Sequence, residues 1–533
     1  MLSGTVPWPA ELARRYEEAG YWSGQTLAEL LRVPSTVDGS RTAVVSRTQR
    51  VSYAALDQRA DRLAAGLHGL GLVPGDRVVV QLPNSVDLVA VSVALFRLGA
   101  VPVFALPAHR KAEIGYLCEH AEAAALVVPD VQQGFDHRVL AREVRARVPG
   151  LRHVVVAGEP AGFTDLASVE ADPVELAAPD PADMALCLLS GGTTGLPKLI
   201  PRTHNDYLYQ VRTTAREMRL DARGAYLAAL PMSHNAALGC PGVLGALWVG
   251  AKAVLARSAA PDEVFPLIAR EGVTLTTLMP VYLPLWSATV EDFGVDLSGL
   301  VVEVGGAMLS PDTARAAEQG LGATITRWFG MGEGFLSFTR PDDPAEVRFT
   351  TEGRPLCPAD EIRVVDEQGA DVPAGAVGEL LTRGPYTLRG YYRAADYNAR
   401  VFTADGFLRT GDLVRRTAEG NMVVVGRIND VINRGGEKVP TGEVEEHLRA
   451  HPQVKDAALV GFPDATLGER SAVFVIAAGD VPTLPELHAF LLDRGLAEFK
   501  LPDRLHLADA FPLTAVGKVD KRALRAGLAA ATG

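Results

Sequence analysis

The chain has 533 residues, 48% of them apolar, enough to bury more than one core, and its 52 glycines and 35 prolines fall short of a disordered composition. Its 64 acidic residues outnumber 52 basic ones for a net charge of −12, which argues against a nucleic-acid-binding surface. Cys118, Cys187, Cys240 and Cys357 contain no CxxC pair, the N-terminus carries no basic-then-apolar leader, and no apolar run approaches a membrane span, so the expectation is a cytoplasmic protein without disulfide framework, zinc ribbon or membrane partner.

In chain order, residues 25–180 alternate helical and strand patterns. Ala60 to Gly69 has helical spacing, and Pro74, Gly75 and Asp76 mark a turn before the β-branched strand Arg77 to Leu82. Val86 to Leu98 reads as an apolar helix, Val101 to Leu106 as a strand, and Leu126 to Val128 and His153 to Val156 as short buried strands. This rhythm predicts parallel α/β architecture. The apolar run Ala185 to Leu189 then delivers the chain into Ser190-Gly191-Gly192-Thr193-Thr194-Gly195-Leu196-Pro197-Lys198. Three glycines let the backbone bring its N–H groups close to an anion, and three hydroxyls with one ammonium are the donors a polyphosphate needs. It is not a Walker loop, because Pro197 precedes Lys198. On composition alone the string serves equally as a surface turn after a strand.

The α/β rhythm resumes in Tyr226 to Leu230, Ala253 to Ala256, Val273 to Leu278 and Leu300 to Val304. Near Arg427 the text changes to Gly426-Arg427-Ile428-Asn429-Asp430 and then Asn433-Arg434-Gly435-Gly436-Glu437-Lys438. A compact unit follows, with helices Thr441 to Ala450 and Leu484 to Arg494 and strands Asp456 to Gly461 and Ala472 to Ala477. A boundary at about 428 predicts domains 1–427 and 428–533.

The complete string from Ser190 to Lys198 resembles the phosphate loop of the adenylate-forming enzymes: acyl-CoA synthetases, luciferases and peptide-synthetase adenylation domains. Further strings match that superfamily in order. Phe329-Gly330-Met331-Gly332-Glu333 resembles its aromatic-Gly-x-Thr-Glu motif, with Gly332 in place of Thr. Thr410-Gly411-Asp412 resembles its ribose motif, Gly426-Arg427 its hinge region, and Pro512-Leu513-Thr514 through Gly517-Lys518 its C-terminal lysine motif. The N-terminal PWPAELARRYEEAGYW and Leu230-Pro231-Met232-Ser233-His234-Asn235 are similar to the stand-alone aryl-acid–AMP ligases of siderophore pathways.

The resemblance implies an α/β fold with a large multi-subdomain N-terminal domain and a small mobile C-terminal α+β lid. It implies ATP held by Ser190, Gly191, Gly192, Thr193, Thr194, Gly195 and Lys198, with Phe329, Gly330 and Met331 alongside. Gly305, Gly306 and Ala307 would lie flat against adenine and the aryl ring. Glu333, on its own a turn carboxylate, would hold Mg²⁺ on the phosphates. Asp412, on its own a backbone cap, would accept the ribose hydroxyls beside Arg427. Lys518, on its own a surface lysine, would be the catalytic cation between the acid's carboxylate and the α-phosphate. His234 is a further catalytic candidate, and Lys438 would serve thioester formation. Asn429 departs from the usual hinge aspartate, with Asp430 adjacent.

In the acid pocket the resemblance makes Asn235 the partner of an ortho-hydroxyl, with Gly306, Leu336 and Lys518 completing the lining. Cys240 stands where 2,3-dihydroxybenzoate ligases carry a serine, and a thiol behaves as a small hydrophobe, which favours salicylate. Ala236 replaces a Tyr or Phe and widens the pocket for a substituted salicylate. The expected partners are a small aryl acid and a phosphopantetheinylated aryl carrier protein supplied in trans. A 2,3-dihydroxybenzoate ligase and an aryl-CoA ligase are the alternatives. A hydrolase built on Cys240 or a serine with His234 lacks the nucleophile-elbow sequence, and His447 with His451 lacks the HExxH frame of a zinc site.

Overall fold

The computed structural model describes residues 2–190, 197–434, 437–464, 467–494, 496, 498–514 and 517–531. Gly191, Gly192, Thr193, Thr194 and Gly195 of the glycine-and-hydroxyl string therefore lie outside the described residues. The chain forms two compact units. One comprises Met1–Phe349, Gly353–Glu361 and Arg383–Leu408, the other Thr350–Glu352, Ile362–Thr382 and Arg409–Gly533.

Among the described residues, the first unit carries two large sheets. One runs Leu199–Thr203, Met184–Leu189, Val101–Phe104, Arg77–Val80, Ala123–Pro129, His153–Ala157, Thr164–Asp165. The other runs Arg354–Pro355, Leu336–Phe338, Thr324–Gly330, Val301–Gly305, Leu275–Leu278, Ala225–Ala228, Lys252–Leu255, Thr42–Val45, Arg50–Ser52. Their interior strands pair in parallel and are buried almost throughout, as strands covered on both faces are. The helix Val86–Leu98 begins and ends where the sequence reading puts it. Ser85 caps its first turn by accepting from Leu88 N, and Gly99 takes the left-handed conformation that ends it. Nearly every residue of this helix is buried, which is why it is apolar all round.

The edges of both sheets escaped sequence reasoning. Leu199–Thr203 pairs antiparallel with Met184–Leu189. Thr42–Val45 pairs with Lys252–Leu255 across some two hundred residues, a pairing that no local pattern announces. Asn235, expected at a strand end, opens a short helix, Asn235–Gly239, because the strand Ala225–Ala228 stops earlier than its apolar run.

The second unit holds a sheet of Glu361–Val365, Gly378–Arg383, Leu408–Arg416 and Met422–Arg427, which the sequence reading did not anticipate. It also holds a sheet of Glu437–Pro440, Val431–Arg434, Gly468–Ala477 and Val454–Asp464, with Arg504–Leu507 joined to Gly468–Ala477. The helices Thr441–Arg449 and Leu484–Asp493 bury Val444, Leu448, Leu487 and Leu491 in its core, and both match the predicted spans to within a residue.

Candidate active site

The mouth of the phosphate-loop string is held by two hydrogen bonds. Ser190 N donates to Lys198 O and Lys198 N donates to Ser190 Oγ, each at 2.9 Å, extending the Met184–Leu189 hairpin ladder by one rung. The Lys198 ammonium sits 4.0 Å from the centre of the Tyr397 ring, a cation–π contact that parks the charge beside the loop.

The strand Thr324–Gly330 runs into Met331-Gly332-Glu333. A Cβ at 332 would lie 3.0 Å from Ile200 Cδ1, the mobile end of a side chain, and nothing in the structure explains glycine where the motif usually has threonine. The half-buried Glu333 accepts from the Tyr391 hydroxyl at 2.7 Å on Oε1. One held carboxylate suits Mg²⁺, which binds through one or two carboxylates and substrate phosphates. Among the described residues no cluster of three or more His, Cys, Asp or Glu forms a protein-only cage. The Gly305-Gly306 bend is explained by packing: a Cβ on Gly305 would lie 2.4 Å from Trp328, and Gly306 has φ +78° with a Cβ only 2.9 Å from Met279 Sδ.

Behind these loops lies a polar network that sequence reasoning missed. Arg202, fully buried, donates to Asp206 Oδ1 at 2.7 Å, Gln210 Oε1 at 3.1 Å, Gly332 O at 2.9 Å and Tyr386 O at 3.1 Å. Arginine has no acceptor, so it fixes which end of the Gln210 amide is oxygen. Gln210 Nε2 must then donate, and it does so to Asn235 Oδ1 at 3.2 Å, Gly239 O at 3.0 Å and Cys240 Sγ at 3.3 Å. The Tyr207 hydroxyl adds a second bond to Asn235 Oδ1 at 2.8 Å. Asn235 Oδ1 is thereby held by Tyr207 and Gln210, which fixes the orientation of its carboxamide. The available signal was Asp206 and Gln210 four residues apart on one face of the helix His204–Glu217, among its buried residues.

Ala236 and Cys240 are buried beside Asn235, and Leu336 is buried against Gly330. Burial pushes the Cys240 thiol far above its ordinary value, with the Glu303 carboxyl adding to the shift, so Cys240 is a neutral small hydrophobe and no nucleophile. His234 is half-buried and caps the Asn235–Gly239 helix, its Nδ1 accepting from Ala236 N at 3.4 Å. It holds the segment that carries Asn235.

In the second unit, Asp412 and Arg427 face each other across an antiparallel pair, and Arg427 Nε donates to Asp412 Oδ1 at 2.7 Å. Asp412 is 3% exposed and its Oδ2 has no hydrogen-bond partner among the described residues, an acceptor held ready for a hydroxyl. Lys518 stands on a tight turn closed by Thr514 N to Lys518 O at 2.7 Å and Lys518 N to Thr514 Oγ1 at 3.2 Å. Its side chain is exposed; desolvation by neighbouring groups and then the Arg427 charge lower the pKa of its ammonium, while Asp412 opposes them.

Asn429 and Asp430 lie in the short turn Ile428–Asp430, with Asp430 3.8 Å from the Arg525 guanidinium. Lys438 lies on the strand Glu437–Pro440 opposite Asn433. The Asn429 and Lys438 side chains lie outside the described residues. His447 and His451 each accept a local hydrogen bond, from Arg494 Nε and Gln453 N, which accounts for both without a metal.

All four cysteines are free and buried, and among the described residues no helix is long and apolar enough to cross a membrane. Compared with known proteins, the chain matches the AMP-binding enzyme family over residues 33–392 and the AMP-binding enzyme C-terminal domain over residues 443–518. It is 52% identical to a 2,3-dihydroxybenzoate-AMP ligase of Bacillus subtilis (strain 168), covering 98% of both chains. It is 48% identical to a salicyl-AMP ligase / salicyl-S-ArCP synthetase of Mycobacterium tuberculosis, covering 100% of this chain and 96% of that protein. Its structure is similar to the apo structure of MbtA from Mycobacterium smegmatis, with TM-score 0.78 and 47% identity, covering 98% of this chain and 99% of that one.

Proposed function

The chain belongs to the AMP-binding enzymes, adenylate-forming ligases, and from that membership we propose that it activates a 2-hydroxyaryl carboxylic acid, salicylate or a substituted salicylate, as the aryl-AMP with release of pyrophosphate. The acyl group then passes to the phosphopantetheine thiol of an aryl carrier protein supplied in trans, in the cytoplasm. The locked Asn235 carboxamide carries this reading: a buried NH₂ whose orientation is set by Tyr207, Gln210 and, through Gln210, Arg202 is suited to a substrate oxygen. An acid lacking a partner for it leaves that donor unpaired and is rejected.

In this reading Ser190 to Lys198 grip the triphosphate of ATP and stabilise charge on the departing pyrophosphate. Glu333, held by Tyr391, is the protein ligand for Mg²⁺, which when bound supplies charge neutralisation on the phosphates. Asp412 Oδ2 accepts from the ribose, and Arg427 keeps the carboxylate in place. Lys518 offsets the repulsion between the attacking carboxylate and the α-phosphate. Lys438 and the Asn429-Asp430 turn serve the second half-reaction, with a lid formed by residues 428–533.

The second reading is 2,3-dihydroxybenzoate, the acid in the name of the Bacillus relative. ATP–pyrophosphate exchange with salicylate, methylsalicylates, 2,3-dihydroxybenzoate and benzoate tests both. Salicylates should exceed benzoate at least about a hundredfold in kcat/KM. Equal use of benzoate refutes the role of Asn235, and a clear 2,3-dihydroxybenzoate preference over every salicylate moves the assignment to the second reading. Thioester yield on a carrier protein compared with CoA decides the acceptor.

A further inference from the structure

The strand Val301–Gly305 alternates sharply. Val302 and Val304 point into one core, while Val301 packs against the other, which contains Tyr226, Ala236, Cys240 and Trp328. Glu303 shares the second face. It is fully buried, an extreme position for a carboxylic acid without an ionic partner. Its Oε2 accepts from Thr277 Oγ1 at 3.0 Å, and Thr277 is bonded to the Tyr226 hydroxyl at 3.1 Å. Its Oε1 has no hydrogen-bond partner among the described residues, and neither has Thr326 Oγ1, the register neighbour of Glu303 on the next strand. Tyr226, Thr277, Glu303 and Thr326 thus form a polar stripe across four adjacent strands, ending in two unmet groups, on the side of the sheet that carries Asn235, Ala236 and Cys240. Glu303 is close enough to Cys240 and Tyr226 for its charge to act on both.

Buried polar groups that the protein leaves unpaired mark where a ligand supplies the partner. Cys240 is too weak a donor to read a polar substituent, whereas the unmet Glu303 Oε1 is a strong acceptor. We infer that Glu303 is a specificity-determining residue, and that the acid activated here carries, beyond its ortho-hydroxyl, a second hydrogen-bond donor, hydroxyl or amino, on the ring edge facing Cys240 and Glu303. The inference rests on the reading of the chain as a 2-hydroxyaryl-acid ligase and narrows its substrate class. The stripe also bears on the Cys240 argument for plain salicylate: the thiol where relatives have serine removes one polar reader while Glu303 provides another.

The full-length enzyme is assayed by ATP–pyrophosphate exchange with salicylate, 3-aminosalicylate, 2,3-dihydroxybenzoate and 3-methylsalicylate. The amino or hydroxyl acid should exceed salicylate by at least roughly tenfold in kcat/KM, and the methyl acid should gain nothing. The ranking of the amino and hydroxyl arms identifies the donor. Glu303→Leu should collapse the ratio of donor-bearing acid to salicylate toward one, chiefly through KM, and Glu303→Gln should retain part of it. A wild-type preference for salicylate or 3-methylsalicylate overturns the inference, as does an unchanged ratio in a folded Glu303→Leu protein. If that variant does not fold, the wild-type ranking decides. Failure of every 2-hydroxy acid to support exchange overturns the proposed function itself, an outcome distinct from the loss of a substituent preference.

Discussion

Replacing Arg202 by Met removes the group that bonds Gly332 and Tyr386 to Asp206 and Gln210. The arginine is fully buried and makes four hydrogen bonds, one of them to the Asp206 carboxylate, which is itself 1% exposed. Deleting one partner of a buried pair costs about 3–5 kcal/mol, because the survivor is left uncompensated. The unfolding entropy of a unit the size of the first one is roughly 0.8 kcal/mol per kelvin, so the loss should lower its melting midpoint by about 4–6 °C. Asp206 escapes part of the penalty by taking a proton, for burial already raises its carboxyl pKa against the pull of Arg202. Without the guanidinium that pKa rises further, the folded variant holds a proton that the unfolded chain releases, and the deficit grows from pH 6 to pH 8. Differential scanning calorimetry at both pH values reads this. The Arg202→Met, Asp206→Asn double variant should recover at least about 1 kcal/mol relative to the sum of the single variants. An Arg202→Met protein that melts with the wild type, or strictly additive single variants, would refute the network.

Gln210→Leu deletes the donor that locks Asn235, so the KM for the acid should rise about tenfold while the KM for ATP holds, as measured by exchange kinetics; an unchanged acid KM would show that Asn235 needs no lock. Lys518→Ala should reduce pyrophosphate exchange at least about a hundredfold while calorimetric ATP affinity is largely kept, and normal exchange in that protein removes the lysine from the chemistry. Glu303 and Asp360 are buried acids with pKa raised to about 8 by desolvation, so each stabilises the fold most at low pH and loses that contribution as pH climbs toward 8. Above the range where histidines titrate, stability should fall by up to about 1.4 kcal/mol per pH unit for each group, and Glu303→Gln should make the slope between about pH 7 and 8 shallower in denaturant titrations; an unaltered slope would mean that Glu303 is not held neutral.

Much of the fold was legible because its interior strands and helices bury nearly every side chain. Val86–Leu98, Arg77–Val80 and His153–Ala157 declare themselves by unbroken apolar runs between turn residues, and Thr441–Arg449 and Leu484–Asp493 by their buried faces. The second unit's first sheet, from Glu361–Val365 to Met422–Arg427, escaped because most residues of three of its strands are half-buried, with no clean period. Of the candidate site, the pairing of Asp412 with Arg427 joins two motifs that the sequence reading set side by side, while Gly191 to Gly195 lie outside the described residues.

What the order of residues alone determined is the chemistry on offer: donors for a polyphosphate, a carboxylate for a hydroxyl, a cation near the C-terminus, a carboxamide and a thiol for an aryl acid. Only the tertiary structure decided how those groups are presented. Arg202, distant in sequence from Gly332 and Tyr386, joins them in space and through Gln210 fixes the orientation of the Asn235 carboxamide. Four separate strands bring Tyr226, Thr277, Glu303 and Thr326 side by side. A hydrogen bond depends on position and orientation at a distance of about 3 Å, and in a parallel sheet those positions are set by register between segments far apart in the chain, which no local pattern encodes.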